Sequence, residues 1–144
     1  MVYSTVTGIR AYFGNANWNA STIPTLAQVE NWCEEASSIV DAYIRNVVNT
    51  PVTDTIDLKV VTAIADMYVV DNINFNVAKN RTVINNTERV VTSNSHTAFY
   101  KKLQEIKDGV VILVNSVKQT TTTAQSGAQK NNLTFVSKKD DTQW

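Results

Sequence analysis

Between Thr25 and Val47, the residues Leu26, Val29, Cys33, Ala36, Val40, Tyr43, Ile44 and Val47 recur at spacings of three and four. A strand points successive side chains to opposite faces and would scatter this set. An α-helix gathers it into one apolar stripe. Such a stripe has to be covered by other apolar surface, so the chain is driven towards helices packed together. The boundaries agree. Thr25 is placed to cap the helix, with Gln28 three residues on to complete a capping box. Glu30 and Glu34 fall in the early turns and Arg45 at the end, as the helix dipole favours. Asn49-Thr50-Pro51 then ends it.

The flanking segments extend the pattern. Val6, Ile9 and Phe13 put a short helix before Gly14, a natural stop. Residues 15–22, Trp18 included, read as loop. After Pro51, Thr53, Asp54 or Thr55 could cap a further helix. Leu58, Val61, Ile64, Ala65, Tyr68 and Asn72 line one of its faces, and Val60, Met67, Val70 and Ile73 much of the rest. A helix apolar nearly all round is buried in a core or between subunits. Residues 74–95 lose the helical period. Thr82-Val83-Ile84 and Arg89-Val90-Val91-Thr92, flanking Asn85-Asn86-Thr87-Glu88, read as a β-hairpin. From Ser95 a last helix carries Ala98, Phe99, Leu103, Ile106 and Val110 on its stripe, with Lys101, Lys102, Glu105 and Lys107 on its wet side. Gly109 marks a break, and the run Val110–Val114 fits helix or strand.

The expected fold is therefore mainly α. A small helical bundle occupies residues 1–118, with a hairpin insertion at about 80–94. Residues 119–144 form an extended polar arm. Residues 119–130 include four consecutive Thr and too little apolar surface to order themselves. Leu133-Thr134-Phe135-Val136 reads as a strand-like motif, and Trp144 follows after a charged stretch. Val83, Ile84, Val90, Val91, Leu133, Phe135, Val136 and Trp144 are the candidate contacts with partners or sister subunits. Segments of this kind order by adding a strand to an edge or filling a groove. The alternative is that Leu133, Phe135 and Val136 fold back on their own domain.

Composition excludes more than it assigns. Thirteen Lys and Arg balance thirteen Asp and Glu, so no net field draws nucleic acid or an anionic membrane. The balance hides a split. Residues 25–78 hold eight acids and two bases, and residues 79–144 ten bases and five acids. Opposite patches of that kind let copies of one chain stack. No run approaches the length of a membrane span, and Met1–Thr5 carries no basic region followed by an apolar run, so no signal peptide is expected. Sequons at Asn19, Asn80, Asn85 and Asn132 match chance in so Asn- and Thr-rich a chain.

Chemistry is hard to assemble from these residues. One Cys and one His rule out a disulfide framework and Cys-cluster or two-His metal sites. Cys33 lies on the apolar stripe and reads as a small hydrophobe. His96, at the start of a helix rich in Ser, Asn and Thr, reads as a surface residue. No nucleophile elbow, phosphate-cradling loop or calcium loop occurs. Glu30, Glu34 and Glu35 fall on the polar side of their helix and read as a solvated face. No catalytic residue, metal ligand or cofactor is expected, and the chain is not expected to be an enzyme.

Thr5-Val6-Thr7-Gly8-Ile9-Arg10-Ala11-Tyr12-Phe13-Gly14 is similar to the opening short helix of the head–tail adaptor proteins of tailed bacteriophages. The long helix through Ile39-Val40-Asp41-Ala42-Tyr43-Ile44, the helix over Asp57–Tyr68 after Pro51, and Phe99 to Leu113 resemble that family's later elements in order. The resemblance covers roughly residues 5–114 and lies in apolar positions and helix lengths. The Asn-rich stretch 74–95 and the Thr-rich tail depart from its compact members. The resemblance implies a structural component of the virion neck, made in the host cytoplasm. It would be a homo-oligomeric ring, typically of twelve copies, bound to the portal protein above and to a stopper or tail-completion protein below. The ring would extend the channel through which DNA passes without sequence-specific binding and without membrane contact. Glu30, Glu34 and Glu35 are then candidates to face that channel and repel phosphate. The competing expectation is a small helical module that binds or regulates another protein.

Overall fold

The computed structural model describes residues 1–84 and 94–118. Four α-helices follow in order: α1 Val6–Arg10, α2 Leu26–Ile44, α3 Thr55–Ile84 and α4 Thr97–Lys107. A single 3₁₀ turn, Ala11–Phe13, continues α1 to Gly14, whose φ of 62° supplies the left-handed stop. The Thr25 hydroxyl accepts from the Gln28 amide, and the Gln28 side chain accepts from the Thr25 amide, forming the expected capping box. Of the three candidates for the next cap, Asp54 takes the role. Its Oδ2 accepts from the Ile56 and Asp57 amides at 3.1 Å each.

Helix α2 packs along α3, and α4 and α1 each lie against both. The core follows the stripes. Val29, Cys33, Ala36, Val40 and Ile44 of α2 meet Val61, Ile64, Ala65, Val69 and Ile73 of α3, and Phe99, Leu103 and Ile106 of α4 close over them. Tyr68 tilts against Phe99 with ring centroids 5.1 Å apart. Val60 and Val70 are half-buried against this core, so part of the second face of α3 is used within the chain. Beyond α4 the chain returns along the end of α2. Val117 pairs antiparallel with Val48, the one β-bridge among the described residues.

Several expectations are corrected. Helix α3 runs 30 residues without a Gly or Pro, so Thr82, Val83 and Ile84 belong to its last turn and not to a strand. The run Asn72-Ile73-Asn74-Phe75-Asn76-Val77 alternates as a strand would. It also places Ile73 and Val77 four apart, and that spacing continues the stripe onto the core. Three residues such as 82–84 are too few to separate the two periods. Val90 and Val91, the other half of the expected hairpin, lie outside the described residues, as do Leu133, Phe135, Val136, Trp144 and the whole arm 119–144. Residues 15–22 are irregular, as expected, but Trp18 within them does not face solvent. It is buried, edge-on to Phe13 at 5.8 Å. Ala98 and Val110, expected on the α4 stripe, are both exposed, Val110 because α4 stops at Lys107.

Candidate interaction surface

The described residues expose one concentrated apolar surface. It arises where α4 ends. Gly109, at φ 79°, turns the chain out of the helix. The Gly109 amide donates to the Ile106 carbonyl at 3.2 Å and the Val110 amide to Glu105 at 2.8 Å, the paired bonds of a Schellman stop. The following segment bends at 110–111 and turns at 114–116, and its side chains alternate between inside and outside. Leu113 is buried and Val111 half-buried, while Val110, Ile112 and Val114 are 73%, 62% and 74% exposed. Val117, 45% exposed, ends the patch. Isolated exposed hydrophobics are ordinary. A row of them on one short segment marks a contact surface.

Two acids, the buried Asp57 and the more accessible Asp54, hold this segment in place. Asp57 Oδ2 accepts from the Asn115 amide at 2.9 Å and from the Ser116 hydroxyl at 2.8 Å. Asp54 Oδ2 accepts from Asn115 Nδ2 at 3.0 Å, and these hydrogen bonds hold the Asp54 carboxyl below the ordinary range. The bridge adds Asn49 N–H to the Ser116 carbonyl at 2.8 Å and Lys118 N–H to the Val47 carbonyl at 2.9 Å. Beneath the patch, between the end of α2 and the turn after α4, runs a groove of about 300 Å³. It is lined by Val47, Val48, Ile106, Val111, Leu113 and Val117, with Ile112 and the turn residues Lys107, Asp108 and Gly109 also on its wall. The apolar run Val110–Val114 was visible in sequence, but its alternation could not be told from a helical continuation.

A second set of polar groups ties the N-terminal segment to the bundle. The Tyr3 hydroxyl donates to Asp41 and accepts from the Val52 amide at 2.8 Å. The Tyr3 amide donates to the Ser37 hydroxyl at 2.7 Å. Asp66 accepts from the Ser4 hydroxyl at 2.7 Å and the Tyr12 hydroxyl at 3.2 Å, while burial raises its pKa. Burial likewise raises the Cys33 thiol, which lies beside Ser4 and Asp66. A thiol held protonated in this way is a poor nucleophile.

His96 is not on the surface. It is buried, stacked on Tyr68 at 4.1 Å, with Asp71 Oδ2 3.9 Å from Nδ1. Burial lowers its pKa, against the opposing pull of Asp71 and Glu35. Tyr68 is pushed up to about 12, first by burial and then by its hydrogen bond to Glu35. Cys33 and His96 thus sit among different neighbours, one at Ser4 and Asp66, the other at Tyr68 and Asp71.

Glu30, Glu34 and Glu35 are exposed on α2. Asp57 and Asp66 are buried, so the acidic surface is weaker than the count over residues 25–78 suggests. Among the described residues no group of three metal-ligating side chains converges, and no helix is long and apolar enough to cross a membrane. No known protein family, curated protein or solved structure matches the chain.

Proposed function

We propose that this chain is a structural adaptor of a tailed-bacteriophage neck, assembling as a ring beneath the portal and continuing the DNA channel towards the tail. The observation that carries the reading is the exposed row Val110, Ile112 and Val114, on a segment tied to the helical body where Asp57 and Asp54 accept from Asn115. A fixed apolar edge suits a contact that must close a ring, because head-to-tail interfaces close only when each subunit presents its surfaces at one defined angle. The exposed Glu30, Glu34 and Glu35 offer a face that repels phosphate if turned to the lumen. The helix order also supports the reading, since it follows the pattern on which the resemblance rests.

The test is solution mass by light scattering over a concentration series, alone and with a portal ring. A closed oligomer, or one copy bound per portal subunit, is the expected outcome. A monomer or dimer indifferent to the portal overturns the adaptor and leaves the regulatory module. Replacing Val110, Ile112 and Val114 together by Ser should abolish assembly while leaving the helical circular-dichroism signal unchanged.

A further inference from the structure

We propose that the groove between the end of α2 and the turn after α4 is the docking site for the chain's own Leu133–Val136 segment, filled in cis. The inference goes beyond the ring reading and does not rest on it. Three observations lead to it. First, the groove is apolar and sits at the low end of the size range of binding clefts, large enough for one or two apolar side chains. Second, the chain leaves the described residues at the groove itself. Val117 lines it, and Lys118 is fixed there, its amide bonded to Val47 and its Nζ to the Arg45 carbonyl at 3.1 Å. Third, the sequence beyond Lys118 concentrates its large apolar residues. Across 119–144 they are Leu133, Phe135, Val136 and Trp144, the first three within four positions and free of charge from Asn131 to Ser137.

The geometry favours the same molecule over a second copy. The intervening residues 119–132 are rich in Thr, Gln, Ala and Ser. A chain of that length and composition has a root-mean-square reach of about 20 Å, comparable with the width of a small domain. Short tethers of this kind present their ends at millimolar effective concentration. A second copy would have to match that concentration in free solution. Leu133 and Phe135, two apart, lie on one side of an extended segment, as two anchors entering one groove require.

The experiment is methyl-labelled NMR on the full chain at low and high concentration. Contacts from the Phe135 ring to the methyls of Val47, Val111, Leu113 or Val117 are expected at both concentrations in a monomer. They should be lost, with shifts of those methyls, in the Leu133→Ala, Phe135→Ala double variant. A sample mixing labelled and unlabelled chains separates the sources. Contacts seen only between molecules overturn the cis assignment in favour of a second copy. Groove methyls unmoved by the double variant overturn the site altogether. Because the variant changes none of the residues of α1 to α4, its circular dichroism should match the parent. The light-scattering mass of the same sample reports on the ring independently.

Discussion

His96 carries more consequence than its place in a polar stretch suggests. Its ring is buried against Tyr68 and edge-on to Phe99 at 6.3 Å, and Nδ1 has no hydrogen-bond partner. Asp71 and Glu35 are the acids that face it. Because its folded pKa lies below the unfolded value of 6.5, the unfolded state takes the proton first as the pH falls. The stability His96 contributes is therefore complete above that value and is lost as the pH drops through it. The thermal midpoint should fall between pH 7.5 and 5.5. The His96→Asn variant should flatten that slope while keeping the left-handed φ of 52°, which Asn tolerates. Asp66 acts with the opposite sign. Its folded pKa is raised, so protonation near and above 3.8 favours the folded state, and stability from this group grows as the pH falls. Asp66→Asn should remove that component from a melting series at pH 5 to 3.5.

The individual segments differ in what holds them. Helix α2 is locally specified, with a full capping box and a narrow buried stripe. Thr25→Ala should cost about 1 kcal/mol by urea denaturation, since it removes one cap bond and no core contact. The segment 110–118 is held from outside itself. Asp57→Ala leaves the Ser116 hydroxyl and the Asn115 amide without their acceptor, at a cost of ~1–3 kcal/mol. The Lys118 amide, bonded to Val47, should then exchange with solvent faster than the amides of α2. Helix α3 continues beyond residue 74, where the helical period was expected to end. With three Asn at alternate positions its intrinsic propensity is low, and the packing of Ile73 and Val77 on the core supplies what propensity does not.

Taken whole, the chain is a helical body that buries its stripes internally and leaves one apolar edge beside the point where residues 119–144 begin. Deleting 119–144 should leave that body folded, with an unchanged helical signal, because the buried residues of α1 to α4 already pack on one another. Unfolding on deletion would make the tail part of the core. Cys33→Ala should reduce stability modestly through a small cavity and leave assembly intact, since the thiol is buried and not exposed to a partner.

The existence and type of all four helices, and the caps of α2 and α3, were legible in the sequence, because an apolar period and a cap are local properties that need no partner to be recognised. So was the apolar character of 110–114. Other features required the folded chain. That Leu113 turns inward while Val110, Ile112 and Val114 turn out depends on Gly109 ending α4 and on Asp57, 58 positions away, capturing Asn115. The burial of His96 and Trp18 and the pairing of Ser4 with Asp66 arise from residues far apart in sequence. Periodicity reports which face of an element is apolar. Which polar side chains are drawn inside, and which apolar ones are left out, is decided only when several such faces compete for one interior.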